Sequence, residues 1–328
     1  MSPPMPQVEF AILGAGAIGS ILGAHLARSG HSVVMLARGR RAEQLRSDGL
    51  RIKGLVEFST PVQVVTDPKQ LPPTQVFVLA MKTPGTAAAL EPLRGAQIDA
   101  AFSIQNGVMK NDLLAAAFGA DRILGSLANT SGELLPSGEV LFTRNVNLQI
   151  GELDGSDTVR AQKIAATIDA AGVRSTAAPD ILSLEWSKFV AWAGMMALAT
   201  TTRARTWQYL EDPGSASVLV RLIREMGQLA KAAGVTLTDR SVLPVATMLN
   251  VSESEGIELV RNTGRQYQTN SPEHRMSALQ DLVAGRALEV EETLGYAARK
   301  AKELQLSMPL MDAFYNLVAT IGRIGVTQ

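Results

Sequence analysis

"VEFAILGAGAIGSILGAHLARSG", residues 8–30, decides how this chain is read. An apolar run, Val8 to Leu13, leads into three glycines, and an alanine- and leucine-rich segment follows until Gly30 stops it. That order is a strand, a tight turn and a helix. Gly14, Gly16 and Gly19 stand in the G-x-G-x-x-G spacing, with Ala15, Ala17 and Ile18 between them. The first glycine permits the turn, and the second lets backbone amides approach a pyrophosphate. The third allows the helix to pack closely on the strand, while the helix N-terminus favours an anion. In this context the six residues read as a dinucleotide-binding turn.

The end of the next strand reads "MLARGRR", residues 35–41. A site for an unphosphorylated ribose places Asp or Glu there. Here the position holds Ala37, followed by Arg38, Arg40 and Arg41. A guanidinium fork suits a 2′-phosphate, so the expected cofactor is NADP(H), with Arg38 as its reader. Arg40 and Arg41 read as residues that solvate a loop.

The rest of the first half alternates β-branched runs with helical segments, which argues for a mostly parallel, doubly wound sheet. "HSVVMLAR", "QVFVLAMK", "AAFSIQNG" and "RILGSLAN" are its further strands. Two stretches, "LRIKGLVEFSTPVQVV" and "GEVLFTRNVNLQIGEL", read as antiparallel ribbons with glycine turns at a sheet edge. From Leu182 onward only helical periodicity appears, over 182–200, 214–234, 240–248, 253–262, 275–305 and 309–325. The expectation is therefore an α/β Rossmann-type domain over 1–179 and an all-α domain over 180–328, joined at Pro179 and Asp180.

The 328 residues can bury two cores. With 31 basic and 31 acidic side chains, charge points to neither nucleic acid nor an anionic membrane. The absence of cysteine excludes disulfides, thiolate metal sites and a thiol nucleophile, and it fits a reducing cytoplasm. The three histidines, His25, His31 and His274, are scattered and form no metal-ligand pattern. No targeting segment is read at the start. The apolar stretch from Phe189 to Ala199 is shorter than the roughly 18 to 20 residues of a membrane span. Lys188 stands at its front edge, where an uncompensated buried charge would be costly.

Five features in this order, the glycine turn, "MKTPGT" at 81–86, "IQNG" at 104–107, Lys188 and "RMSALQDLVAGRALEVEETLG" at 275–295, make the chain resemble the ketopantoate (2-dehydropantoate) reductase family over nearly its whole length. The last string is the most specific of them. The resemblance implies a Rossmann domain joined to a helical domain, an active site in the cleft between them, and NADPH-dependent reduction of a 2-oxo acid in pantothenate biosynthesis. It implies that Lys188 is the proton donor, that Glu289 helps hold the substrate and that Ser277 contacts the substrate carboxylate. It also implies that Lys82 and Asn106 line the nicotinamide and substrate side, and that the protein dimerises through its helical domain. The chemistry is coherent: hydride addition develops charge on the carbonyl oxygen, which a nearby ammonium stabilises and protonates.

The residues leave other readings open. Ser277 and Gln280 have capping-box spacing. Glu289, Glu291 and Glu292 crowd what reads as one helix. Asn106–Gly107 is an ordinary turn pair. Where the family carries asparagine, this chain has Trp192, Met196 and Leu294, changes that suit a less polar or larger 2-oxo substrate. A dehydrogenase of 3-hydroxy acids on the same architecture, and a non-catalytic NADPH-binding protein, are the alternatives.

Overall fold

The computed structural model describes residues 6–325 and divides into two compact units. One comprises residues 6–106 together with Lys110–Leu182; the other comprises Gly107–Met109 and residues 183–325.

In chain order the first unit contains β1 (Val8–Leu13), α1 (Ala17–Arg28), β2 (Val33–Leu36), α2 (Gly39–Asp48), β3 (Leu50–Gly54), β4 (Phe58–Thr60) and β5 (Gln63–Val65). There follow β6 (Thr74–Leu79), α3 (Thr86–Leu90), β7 (Ile98–Ser103), α4 (Met109–Phe118), β8 (Leu124–Leu134), β9 (Val140–Glu152), α5 (Val159–Ala170) and β10 (Ser175–Ala177). A parallel sheet runs in the order β5-β2-β1-β6-β7. Successive side chains of a strand face opposite sides, and both sides are buried here, as a parallel sheet requires. Phe10, Ile12, Val76, Val78 and Phe102 enter one core with the buried face of α1. Phe77, Leu79 and Ala101 enter the other, with Leu114 and Phe118 of α4.

The sequence misplaces the ribbons. "RILGSLAN" supplies no further strand to the parallel sheet: it opens β8, which belongs to a second sheet of order β10-β9-β3-β4 with β8 on β9. "GEVLFTRNVNLQIGEL" is not a self-contained ribbon but the single long strand β9, paired antiparallel with β8 around the turn at Gly138. Gly151, which looks like a turn residue, serves close packing: a Cβ there would lie 1.9 Å from the Ala178 carbonyl oxygen. In "LRIKGLVEFSTPVQVV", β3 and β4 do pair antiparallel, whereas β5 leaves them and joins the parallel sheet beside β2.

The second unit is helical: α6 (Ile181–Thr202), α7 (Thr206–Glu211), α8 (Pro213–Ala232), α9 (Val245–Met248), α10 (Glu253–Asn270), α11 (Ser277–Val283), α12 (Leu294–Glu303) and α13 (Pro309–Gly325). Helix α6 is buried almost all round, and Gly194 explains how α8 comes so near: a Cβ there would meet Leu219 Cδ1 at 2.5 Å. The expected helix over 275–305 is two helices. Gly285, with φ +64°, ends α11. The Gly285 amide bonds to the Leu282 carbonyl at 3.1 Å and the Arg286 amide to the Asp281 carbonyl at 2.8 Å, a Schellman closure. The expected helix over 240–248 begins only after Pro244, whose ring suits a helix start and not its interior.

Candidate active site

In the first unit the structure places the sequence-predicted residues along one edge of the parallel sheet. Strands β2, β1, β6 and β7 are consecutive neighbours running the same way, so their carboxyl ends lie side by side. Arg38 follows β2, the glycine turn follows β1, Lys82 follows β6 and Asn106 follows β7. Ligands of open α/β sheets bind outside these carboxyl ends.

The three glycines have distinct roles. Gly14 has φ +112°, and a Cβ on it would lie 2.4 Å from the Met81 amide nitrogen. The turn therefore presses against the segment that carries Lys82. Gly19 faces inward, where a Cβ would come within 2.1 Å of the Gly14 carbonyl oxygen. Beside Gly16, the N-cap of α1, there is nothing within 4 Å of an added Cβ. The first-turn amides of a helix have no carbonyl within the helix to bond. Ala17, Ile18 and Gly19 form that turn, next to the open side of Gly16. The arrangement fits the pyrophosphate of a dinucleotide.

Arg38 is the exposed N-cap residue of α2, beside the half-buried Ala37, so its guanidinium is available to a ligand phosphate. Arg41 is not the loop-solvating residue expected from sequence. Its Nε donates to the Ala15 carbonyl at 3.0 Å, one Nη to Ser20 Oγ at 3.0 Å and the other to the Gly138 carbonyl at 2.8 Å.

Lys82 is exposed and Asn106 half-buried, each in the loop beyond its strand. Gln105, which sequence reasoning missed, joins these loops. Its Nε2 donates to the Met81 carbonyl at 3.0 Å and lies 2.8 Å from Thr86 Oγ1, while its Oε1 accepts from Ser103 Oγ at 3.2 Å. Behind Asn106 the buried Lys110 ammonium donates to the Ser103 and Ser126 carbonyls at 2.8 and 2.6 Å, tying the end of β7 to β8.

In the second unit Lys188, Trp192 and Met196 are four residues apart on α6 and share a face. Lys188 and Trp192 are half-buried; Met196 is fully enclosed. Glu289 lies in the irregular stretch between α11 and α12, not on a helix as expected. The Thr293 hydroxyl bonds to the Glu289 carbonyl and approaches Met196 Sδ at 3.8 Å, which sets the Glu289 segment against the Lys188 face of α6. Leu294 is completely buried, so neither it nor Met196 presents a surface to a ligand. Ser277 is the exposed first residue of α11. The capping box does not form: Met276 is the N-cap, and Gln280 Nε2 donates instead to the Arg275 carbonyl at 2.9 Å. No group of three or more histidine, aspartate or glutamate side chains able to hold a metal occurs among the described residues.

The sequence pattern of ketopantoate reductase PanE/ApbA matches residues 10–155, and that of the ketopantoate reductase PanE/ApbA C-terminal region matches residues 180–322. The chain belongs to the ketopantoate reductase family. It is 29% identical over 310 residues to the 2-dehydropantoate 2-reductase of Archaeoglobus fulgidus, covering 94% of this chain and 95% of that one. Among solved structures it resembles a PanE/ApbA family ketopantoate reductase from Ralstonia eutropha, with a TM-score of 0.81 and 23% identity over 97% of this chain and 99% of that one. It also resembles a D-mandelate dehydrogenase solved with NADH and anilino(oxo)acetate, with a TM-score of 0.79 and 18% identity over 97% and 99% of the two chains. As a ketopantoate reductase family member the protein is an oxidoreductase that uses a nicotinamide cofactor.

Proposed function

We propose that the protein reduces a 2-oxo acid to the 2-hydroxy acid with NADPH. The observation that carries the reading is Lys188, a half-buried ammonium-bearing side chain in a stretch of helix, 184–200, whose other side chains apart from Trp192 are buried. Bound reduced nicotinamide would supply the hydride to the keto carbon. Lys188 stabilises the charge that develops on the carbonyl oxygen and gives it the proton. Ser277 and Lys82 are suited to the substrate carboxylate, and Glu289 and Asn106 to its remaining polar groups. Arg38, with Ala37 in place of an acidic residue, supports NADPH over NADH. The absence of cysteine supports work in the reducing cytoplasm. No helix of the described residues is long and apolar enough to cross a membrane.

Trp192 favours a particular version of this reading. Its ring borders the position of Lys188, so a substrate there meets an apolar wall. A 2-oxo acid bulkier and less polar than 2-dehydropantoate suits that wall, because hydroxyl groups set against it would lose their partners. Following NADPH oxidation with a panel of 2-oxo acids, 2-dehydropantoate and aryl- and branched-chain acids included, tests both statements. Turnover with any member supports reduction. Tight NADPH binding with no turnover on any of them would leave a non-catalytic NADPH-binding protein.

A further inference from the structure

Arg41 stands at the back of the glycine turn with three hydrogen bonds, and every acceptor is neutral: the Ala15 carbonyl, the Ser20 hydroxyl and the Gly138 carbonyl. No carboxylate pairs with it among the described residues. Burial, and after it the positive charge of Arg51, lower its pKa from the ordinary arginine value. A half-buried cation without a counter-charge is unfavourable in itself, and this one backs the turn at which an anion is expected.

Its geometry says what it does there. The peptide unit is planar and trans, so the Ala15 carbonyl and the Gly16 N–H point in opposite directions. Arg41 Nε holds that carbonyl, and Ser20 Oγ donates to the same oxygen at 3.2 Å. The Gly16 N–H therefore points away from Arg41. A cation on the carbonyl end of a peptide also polarises it and strengthens the donor at its other end.

We propose that Arg41 is a positioning residue for the cofactor pyrophosphate: it fixes and polarises the Ala15–Gly16 peptide and provides a positive charge that only the bound dinucleotide neutralises. The pyrophosphate is common to NADPH and NADH, so Arg41 serves both, unlike Arg38. The third bond, to Gly138, makes the tip of the β8–β9 hairpin part of the same clamp. This inference rests on the dinucleotide reading of the glycine turn.

The test is direct titration of the purified full-length protein with NADPH and with NADH, by nucleotide fluorescence, at low and high salt, alongside the melting temperature of each ligand-free variant. Arg41→Gln keeps donors and removes the charge; Arg41→Lys keeps the charge with fewer directed donors. Arg41→Gln is expected to weaken both nucleotides by about the same factor, tenfold or more, with a shallower salt dependence and the loss falling on KM for the cofactor. Arg41→Lys recovers most of the affinity. Unchanged affinity in Arg41→Gln, or a loss confined to NADPH, overturns the proposal. If Arg41→Gln does not fold, the lysine variant decides: retained affinity supports the charge, and a folded variant that binds neither nucleotide overturns it. A wild-type protein that binds neither nucleotide overturns the dinucleotide reading itself, and the role of Arg41 with it.

Discussion

Lys188 and Trp192 are the two residues of the 184–200 stretch that keep part of their surface open, and they stand one helical turn apart. Every other side chain between Leu184 and Thr200 is buried. On the proposed reading, a group that reaches Lys188 meets the Trp192 ring on the same helix face. Replacing that ring by an amide should exchange apolar contact for hydrogen bonding. Trp192→Asn is expected to raise kcat/KM for small, hydroxyl-bearing 2-oxo acids relative to aryl or branched ones by about tenfold, the scale on which pocket contacts discriminate substrates. The ratio of the two specificity constants, measured on both proteins, is the readout. An unchanged ratio removes Trp192 from the substrate site.

Lys188→Ala removes the proposed proton donor without touching the glycine turn. Turnover should fall by about a hundredfold to ten-thousandfold, the usual worth of a positioned acid or base, while the dissociation constant for NADPH stays close to that of the parent. Stopped-flow turnover and fluorescence titration of one preparation separate the two. A variant with normal turnover shows that the proton comes from elsewhere.

Arg38 and Arg41 lie three residues apart, yet their proposed duties differ. Arg38→Asp puts a carboxylate where a 2′-phosphate is expected and where an NAD site holds its ribose. NADPH affinity should drop by at least about tenfold, since a charge-assisted contact is lost and a repulsion gained, while NADH affinity holds or improves. Equal losses for both nucleotides would falsify the assignment of Arg38.

Gly14 and Gly16 allow a similar separation of fold from ligand. At Gly14 a side chain meets backbone at 2.4 Å from a left-handed conformation, so Gly14→Ala should lower the melting temperature. At Gly16 the backbone is ordinary, φ −72°, and the space is open. Gly16→Val should melt like the parent and bind dinucleotide at least about tenfold more weakly, because its side chain occupies the ligand's approach. Thermal melts and titrations of both variants check the pair; a Gly16→Val protein with full affinity contradicts the placement of the pyrophosphate.

What could be read in the sequence is what is encoded locally. The strand, glycine turn and helix over residues 8–30 need only neighbouring residues, and so does the buried run of α6. Arg41 could not be read, because its partners Ala15, Ser20 and Gly138 are 26, 21 and 97 positions away. Gln105 escaped for the same reason, since its partners Met81 and Thr86 are 24 and 19 positions away. In β9 a 13-residue strand containing glycine looked like a ribbon, because its antiparallel partner, β8, precedes it. The helix break at Gly285 was signalled by the glycine, but apolar periodicity continues on both sides and concealed it. Glu289 moved from a helix face to an irregular segment as a result. Its nearness to the Lys188 face comes through Thr293 and Met196, two residues that sequence reading assigns no common role.

His25 gives the fold a pH dependence of its own. It is buried on α1, edge-on to Phe58 and Phe142 with ring centroids 5.1 and 5.7 Å away. Its Nδ1 bonds to the Ala171 carbonyl at 2.9 Å, which makes Nδ1 the protonated nitrogen of the neutral ring. Its Nε2 is buried without a partner, so a second proton would have no acceptor. Burial therefore lowers its pKa from the ordinary 6.5. Above 6.5 the ring is neutral in both folded and unfolded chains and costs nothing. As pH falls below 6.5 the unfolded chain takes up the proton first, and stability declines until the folded ring titrates too. The slope from one such group reaches at most about 1.4 kcal/mol per pH unit. Urea unfolding of the parent and of His25→Gln, measured at intervals from neutrality down to moderately acid pH, should show curves that converge as pH falls. Curves that stay parallel through that window would show that His25 is not the group responsible.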